Sequence, residues 1–294
     1  MSAPRSDTVV RAITEDGAFR VIAAMCTSTV QGAVTAQKAR GALGQSFGEL
    51  ITGAIVLREA MAPRLRVQAI LKGAPGAGSM VADSHPDGTS RGLISFGAGK
   101  SAPAAGSSDG DGIPEGALLQ VMRTLPSGSI HQGMVEVPAG GGISGALMQY
   151  MADSEQIVST IAVSATVDGD HVRAAGGYMV QLLPEVERGP LMIMTERLAA
   201  LPNLADVLLA PDVTPDVLLG ELLYGMPYTR LEESPLSFGC NCSQVRVVAS
   251  LATLPRSDVE DLIRDGEVLE ISCDYCGRQY HIAPAELRTL LTTN

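Results

Sequence analysis

Cys240-Asn241-Cys242 and Cys273-Asp274-Tyr275-Cys276 stand near the end of a 294-residue chain, with thirty residues between them. They hold four of its five cysteines, and their reading decides how the chain is divided. Two close cysteine pairs on separate turns are the way a tetrahedral zinc site is assembled. The C-x-C pair is tighter than the usual C-x-x-C. In an extended segment, residues i and i+2 project to the same side, so both sulfurs can still reach one metal. Strand-like text flanks the pairs, residues 244–250 after the first and 269–272 before the second. A lone cysteine would read as a buried thiol; two close pairs among five cysteines do not. Four sulfurs close a site and leave no position for substrate or water, which argues for structural rather than catalytic metal. His281, five residues after Cys276, could replace one sulfur, although a strand histidine between Tyr280 and Ile282 is the plainer reading.

The remaining length is enough for a sizeable core. Hydrophobic residues make up 46% of the chain and no long charged tract interrupts them, so most of it should fold. Acidic residues outnumber basic ones, 32 to 21, and a net charge of -11 opposes binding to nucleic acid phosphates or anionic membranes. Aromatic content of 3% without tryptophan argues against base-stacking platforms. Residues 1–7 are polar and lack an apolar signal core. No apolar run approaches the roughly 18 residues of a membrane span; the longest, residues 50–57, runs into Arg58 and Glu59. A cytoplasmic location is expected, and a reducing compartment favours thiolates and metal over structural disulfides.

Taken in order, the pattern predicts strands at 8–14 and 19–26, helices at 33–40 and 43–61, and strands at 65–71, 79–82, 91–96, 118–123 and 130–137. A helix at 143–153 and a long hairpin, 157–167 with 171–183, complete an α+β core domain with a mixed sheet over residues 1–184. Residues 97–112 are Gly, Ala, Ser, Pro and Asp, and read as a surface loop. Over residues 185–234, helical stretches at 191–201, 205–209 and 216–223 alternate with Pro202, Pro211, Pro215 and Pro227. Such short helices need something to pack on, and the stretch reads as a helical linker region. Residues 235–294 are the small zinc-binding domain, with a last short helix around 287–291.

Two motifs suggest enzymes and are discarded. Gly97-Ala98-Gly99-Lys100-Ser101 looks like the end of a phosphate-binding loop, but the first glycine of that motif would fall on Ile94, and Ala102-Pro103 stands where a helix should start. Gly44-Gln45-Ser46-Phe47-Gly48 fits a nucleophile elbow, yet the helical, exposed text of Gln37-Lys38-Ala39-Arg40 precedes it instead of a buried strand. The four histidines, His85, His131, His171 and His281, are scattered, and no acid–base constellation stands out. No enzyme is expected.

Pro235-Leu236-Ser237-Phe238-Gly239-Cys240-Asn241-Cys242-Ser243, followed by Cys273-Asp274-Tyr275-Cys276-Gly277, resembles the thirty-three-kilodalton heat-shock protein family of bacteria. Gln149-Tyr150-Met151-Ala152-Asp153-Ser154-Glu155-Gln156 is similar to that family's helix ending in Ser-Glu-Gln. Ala174-Ala175-Gly176-Gly177-Tyr178-Met179-Val180-Gln181-Leu182-Leu183-Pro184 is similar to its final core strand. The resemblance covers most of the chain, strongly after about Leu118 and weakly before it. It departs at His131-Gln132-Gly133, where the family usually has Tyr-Gln-Gly, and in an apolar linker bearing Met192, Met194 and Met226 where the family's is often highly charged. The resemblance implies a redox-regulated, ATP-independent chaperone, a holdase for unfolding proteins. It implies an α+β core, a helical linker and a C-terminal zinc domain, and dimerisation linked to oxidation. One Zn2+ per reduced chain would sit on Cys240, Cys242, Cys273 and Cys276, and oxidation would turn those four into disulfides.

Physical chemistry runs the same way. A domain of about 60 residues has a marginal core, and structural zinc contributes on the order of 10–16 kcal/mol in small peptides, so removing the metal should unfold residues 235–294. Metal-bound cysteine is held as the thiolate that oxidants attack, and a disulfide is a poor ligand, so oxidation and metal release are one event. Cys273 and Cys276 can readily bridge. Cys240 and Cys242 can do so only if the backbone bends to bring their Cα atoms within range, and a strained bridge is easily reduced. Cys26, in an apolar run over 21–26, is expected to be a buried bystander with a raised pKa. Two rivals are weaker. A zinc-ribbon nucleic-acid module is opposed by the acidic charge, and a thiol-disulfide oxidoreductase using Cys273 and Cys276 lacks the βαβ setting of such enzymes.

Overall fold

The computed structural model describes residues 6–61, 65–73, 78–97, 116–125, 127–184 and 186–292. It forms two compact units, Met1–Gly239 and Cys240–Asn294. The first contains, in order, β1 (Thr8–Thr14), β2 (Phe19–Met25), α1 (Thr27–Gln37), α2 (Gly41–Ala60), β3 (Arg66–Lys72), β4 (Ser79–Ser84) and β5 (Thr89–Ser95). There follow β6 (Leu118–Thr124), β7 (Ile130–Glu136), α3 (Gly142–Asp153), β8 (Ser159–Asp168), β9 (His171–Leu182), α4 (Arg188–Ala200), α5 (Leu204–Leu209), α6 (Pro215–Leu222), β10 (Tyr228–Pro235) and β11 (Ser237–Phe238). The fold is α+β, as expected. One sheet is antiparallel in the order β10-β1-β2-β9-β8; the other, β11-β5-β4-β3-β6-β7, is mixed because β11 runs parallel to β5.

The pleat of β2 explains how two cores share one sheet. Ile22 and Ala24 join the larger core and Val21 and Ala23 the smaller one, because successive side chains alternate faces. A strand buried on both faces reads as a nearly continuous apolar run, as β2 does. Phe47, Leu50, Ile51, Ala54, Ile55 and Leu57 of α2 fill the larger core, where α2 packs on β8 and β9 of one sheet and β3 and β4 of the other. A Cβ at Gly48 would lie 2.7 Å from Cβ of Ala165 and 2.8 Å from Cγ1 of Val30, so glycine is what lets α2 come this close. Gly44, Ser46 and Gly48 all lie within α2, with Ser46 buried; no strand-to-helix elbow exists there.

On the other face of the antiparallel sheet, Val10, Ala12, Val21, Ala23, Tyr178 and Val180 are covered by Met194 of α4, by Leu218, Leu219 and Leu222 of α6, and by Leu223. The short helices after residue 185 thus find their packing partner in the sheet of the first unit. Two expectations about this unit need correction. Residues 228–234, expected within the helical linker region, and Pro235, expected to open the zinc-binding domain, form β10, which pairs antiparallel with β1 from Thr8 opposite Pro235 to Thr14 opposite Tyr228. The first helix begins at Thr27 and not near 33, because the Asp7 carboxylate accepts from the backbone N–H of Ser28 at 3.2 Å and of Thr29 at 2.5 Å. That cap comes from a distant part of the chain and satisfies donors that a helix start leaves open. The glycine-rich stretch 98–112, including Gly99-Lys100-Ser101, lies outside the described residues.

The second unit contains α7 (Gln244–Leu251), α8 (Arg256–Asp265), β12 (Leu269–Ser272), β13 (Gln279–Ile282) and α9 (Pro284–Thr292). β12 and β13 pair as an antiparallel hairpin. Among the described residues, Val259, Tyr280, Ile282 and Leu287 form its buried apolar cluster, with Val247, Val248, Leu251 and Leu262 packed against them. Residues 244–250, expected to be extended, are helical. Ser243 caps them, its Oγ accepting from the Arg246 N–H at 3.3 Å, and valines at 247 and 248 with Leu251 make a helical face toward the core. Among the described residues no helix is long and apolar enough to cross a membrane.

Candidate metal centre

The four paired cysteines converge in the second unit. Cys240 and Cys242 lead into α7, and Nη1 of Arg246 donates to the Asn241 carbonyl at 2.9 Å, which ties the C-x-C segment to that helix. Cys273 and Cys276 lie on the turn between β12 and β13. The Cys273 N–H donates to the Arg278 carbonyl at 2.9 Å, and the Gly277 N–H to the Cys273 carbonyl at 2.7 Å. Gly277 has φ +72, a left-handed conformation that glycine adopts at little cost, and this turns the chain into β13. The Cys273 sulfur accepts from the backbone N–H groups of Cys276 and Tyr275, and the Cys276 sulfur from that of Arg278.

Sγ of Cys240 is 3.7 Å from Sγ of Cys273, and Sγ of Cys242 is 3.5 Å from Sγ of Cys276. All four sulfurs lie within 4.8 Å of one another. A disulfide would hold its sulfurs at about 2.05 Å, so these are free thiols, as is Cys26. Sulfurs at about 2.3 Å from a tetrahedral zinc stand roughly 3.8 Å apart. The four could therefore close around one ion with shifts of a few tenths of an ångström, and an all-sulfur set suits a soft or borderline cation such as zinc. His281 is not among the converging groups; it is exposed on β13, its Nδ1 3.6 Å from Oε1 of Glu270.

The sulfurs are not equivalent. Burial pushes the Cys242 thiol up, but hydrogen bonds from Tyr280 and the neighbouring cysteines outweigh it and bring it down to about 7. Burial, then the neighbouring sulfurs, push Cys276 up to about 12, and burial raises Cys273 also. Four sulfurs in contact resist ionising together, and a divalent cation among them removes that resistance. The Tyr280 hydroxyl, which donates to Cys242 Sγ at 3.0 Å, was not anticipated. Its signal was the alternation in β13, where Tyr280 and Ile282 are buried while Gln279 and His281 are exposed.

Cys26 belongs to the first unit. It is fully buried, with Sγ 3.2 Å from Oγ1 of Thr52, and burial above all pushes its thiol up to about 12. Of the remaining histidines, His85 bonds Asp83, and His131 and His171 are exposed on β7 and β9.

A family model described as Hsp33 protein matches residues 7–283. The chain belongs to the Hsp33 family. Within that family it is 30% identical over 293 residues to a protein of Listeria monocytogenes serovar 1/2a, covering 97% of this chain and 98% of the other. It is 29% identical over 287 residues to one of Syntrophotalea carbinolica, covering 97% and 99%. Both relatives carry the name 33 kDa chaperonin. The crystal structure of the Hsp33 homologue of Thermotoga maritima superposes with a TM-score of 0.83 over 98% of each chain at 23% identity, which shows the shared fold. The resemblance read from the cysteine, helix and strand motifs is borne out, and the Hsp33 assignment makes the chain a member of a chaperone family.

Proposed function

We propose that the chain is a redox-regulated, ATP-independent holdase in three functional parts: a core over residues 1–184, a linker over 185–234 and a metal switch over 235–294. The observation that carries this reading is the convergence of four free sulfurs in a unit with a very small buried core. A core of that size supplies only about 3–5 kcal/mol, against the roughly 10–16 kcal/mol that zinc contributes to small zinc-binding peptides. The metal therefore decides whether the unit folds. In the reduced chain Cys240, Cys242, Cys273 and Cys276 hold one Zn2+, which keeps all four as thiolates.

Each pair is a two-electron donor. Two thiolates give their electrons to a peroxide, an S–S bond forms, the O–O bond breaks, and with two protons the oxygens leave as water. Bridged sulfurs no longer ligate, and the unit loses both its ion and its fold. Cys273 and Cys276 bridge across their turn. Cys240 and Cys242 bridge once the local backbone is free to bend, and the resulting strain makes the switch reversible.

Unfolding frees the chain that follows the linker. Release of α4 and α6 from the sheet bares Val10, Ala12, Val21, Ala23, Tyr178 and Val180 together with the helices' own apolar faces, a surface that takes up unfolding proteins. Met194 and the exposed Met192 suit unspecific contact. The cysteines are consumed by oxidation and regenerated by reductant, so the chain is a switch and not an enzyme. Oxidised chains associate as homodimers, the setting is cytoplasmic, and the charge of -11 turns away nucleic acid and anionic membranes. Light scattering from a heat-unfolded client, without ATP, tests the reading. The oxidised protein should suppress aggregation and the reduced, metal-loaded protein should do so poorly; equal activity of the two forms would refute the switch.

A further inference from the structure

β1 and its neighbour β10 are unlike strands. β1 reads Thr-Val-Val-Arg-Ala-Ile-Thr, and Val9, Val10 and Ala12 have no exposed surface. Such β-branched, apolar text pairs readily on both sides, and β2 and β10 occupy those two sides. β10 reads Tyr-Thr-Arg-Leu-Glu-Glu-Ser-Pro, and every residue but Ser234 is exposed. It contributes little apolar burial of its own. It is held by the backbone ladder, which shifts register between Val10 and Ala12. Arg11 adds hydrogen bonds to the Ser234 hydroxyl at 3.1 Å and the Glu232 carbonyl at 3.3 Å. Arg230 adds an exposed pair with Asp216 of α6 at 2.6 Å, of a kind that contributes little. A short, charged outer strand ending in proline is how proteins blunt an edge that would otherwise recruit other chains. This outer strand also belongs to the stretch that joins the linker to Cys240.

We propose that β10 is a detachable cover, and that the oxidised chain takes an extended segment of an unfolding protein onto β1 in its place, by antiparallel strand addition. This rests on the redox reading above. Without β10, β1 presents a row of unpaired N–H and C=O groups beside the apolar sheet face that α4 and α6 cover when docked. An unfolding polypeptide offers the complement, extended backbone with unpaired groups of its own. Main-chain pairing is indifferent to sequence, while alternate side chains fall on the apolar face. That combination accounts for binding many clients without a shared motif. The edge is absent while β10 is paired, so binding follows the switch.

A fluorescent peptide with the sequence of Tyr228–Pro235 tests the proposal by anisotropy on the full chain, reduced with zinc bound or oxidised with peroxide. The oxidised chain should bind it at least about tenfold more tightly, and an unfolded client should displace it. Backbone N-methylation at alternate residues should abolish binding in one parity and spare it in the other, because only one edge of the peptide can face β1. A merely sticky surface would not distinguish the two parities. The proposal is overturned if the oxidised chain suppresses aggregation yet does not bind the peptide, or if both methylated peptides bind alike. It is also overturned if sedimentation shows oxidised dimers that exclude the peptide because β10 of a second copy fills the edge. Failure of the oxidised chain to suppress aggregation at all would instead refute the redox reading, and this inference with it.

Discussion

Tyr280 places a hydroxyl 3.0 Å from the Cys242 sulfur, and if Cys242 holds zinc as proposed, one hydrogen bond of this kind would both orient the ligand and temper its charge. Partners of metal ligands typically account for 10–100-fold in affinity, roughly. Tyr280→Phe keeps the buried ring and removes only the donor. It should weaken zinc retention about tenfold in a chelator competition and, in the metal-free chain near neutral pH, slow alkylation of Cys242 by raising its thiol, with little change in the fold of the second unit. Unaltered retention would mean that the contact is incidental. In the first unit, Asp83 is the residue with most at stake. Its carboxylate is 1% exposed and accepts from Nε and Nη2 of Arg66 at 2.7 and 2.8 Å and from Nε of Arg91 at 3.0 Å, with Nε2 of His85 3.1 Å away. Burial alone would raise its pKa; hydrogen bonds from His85 and Arg66 overcome that and hold it well below the usual carboxylate range. A depressed carboxyl contributes stability that is present above its unfolded-state pKa, about 3.9, and lost as pH falls below it. Asp83→Asn should cost about 3–5 kcal/mol at neutral pH, and the gap from the parent should narrow below about pH 4 in denaturant melts. A pH-independent gap would contradict this.

Leu219 is the element-scale counterpart, fully buried where α6 meets the sheet. Leu219→Ala should destabilise the docked linker by about 2–5 kcal/mol and give the reduced chain part of the oxidised chain's aggregation suppression in light scattering. Loss of stability with no gain in activity would separate the linker from the client surface. Elements were legible in the sequence where their signal was local. β2, the long α2 and the β8–β9 hairpin carry strong apolar patterning or a turn of Asp168-Gly169-Asp170, and the four-sulfur cluster was legible because its spacing is itself the signal. Three features depend on what lies elsewhere in the chain. β10 is charged and unpatterned, and becomes a strand only because β1 needs an edge partner. α1 starts six residues earlier than its own text suggests because Asp7 caps it. In α7 the valines at 245 and 247 imitate strand alternation, but Val245 is 79% exposed while Val247 packs inward; the Ser243 cap and the small core outweigh β-propensity.

At the scale of the molecule, stability is divided unequally. The first unit has two apolar cores sharing one sheet, and it should survive oxidation. On the proposed reading, the second depends on an ion, and the four clustered cysteines that would hold it are also its oxidisable groups. On the proposed reading, such a chain would convert a change of redox state into loss of one part and exposure of another, without ATP. The direct test is a parallel count of zinc and free thiols on the full chain as peroxide is added. The reduced protein should carry one zinc and, once denatured, five titratable thiols, the number of cysteines it contains. Zinc should leave in step with the loss of four of them, and the thiol that remains should be that of Cys26. Zinc retained after those four thiols have been oxidised, or absent from the reduced protein, would contradict the account.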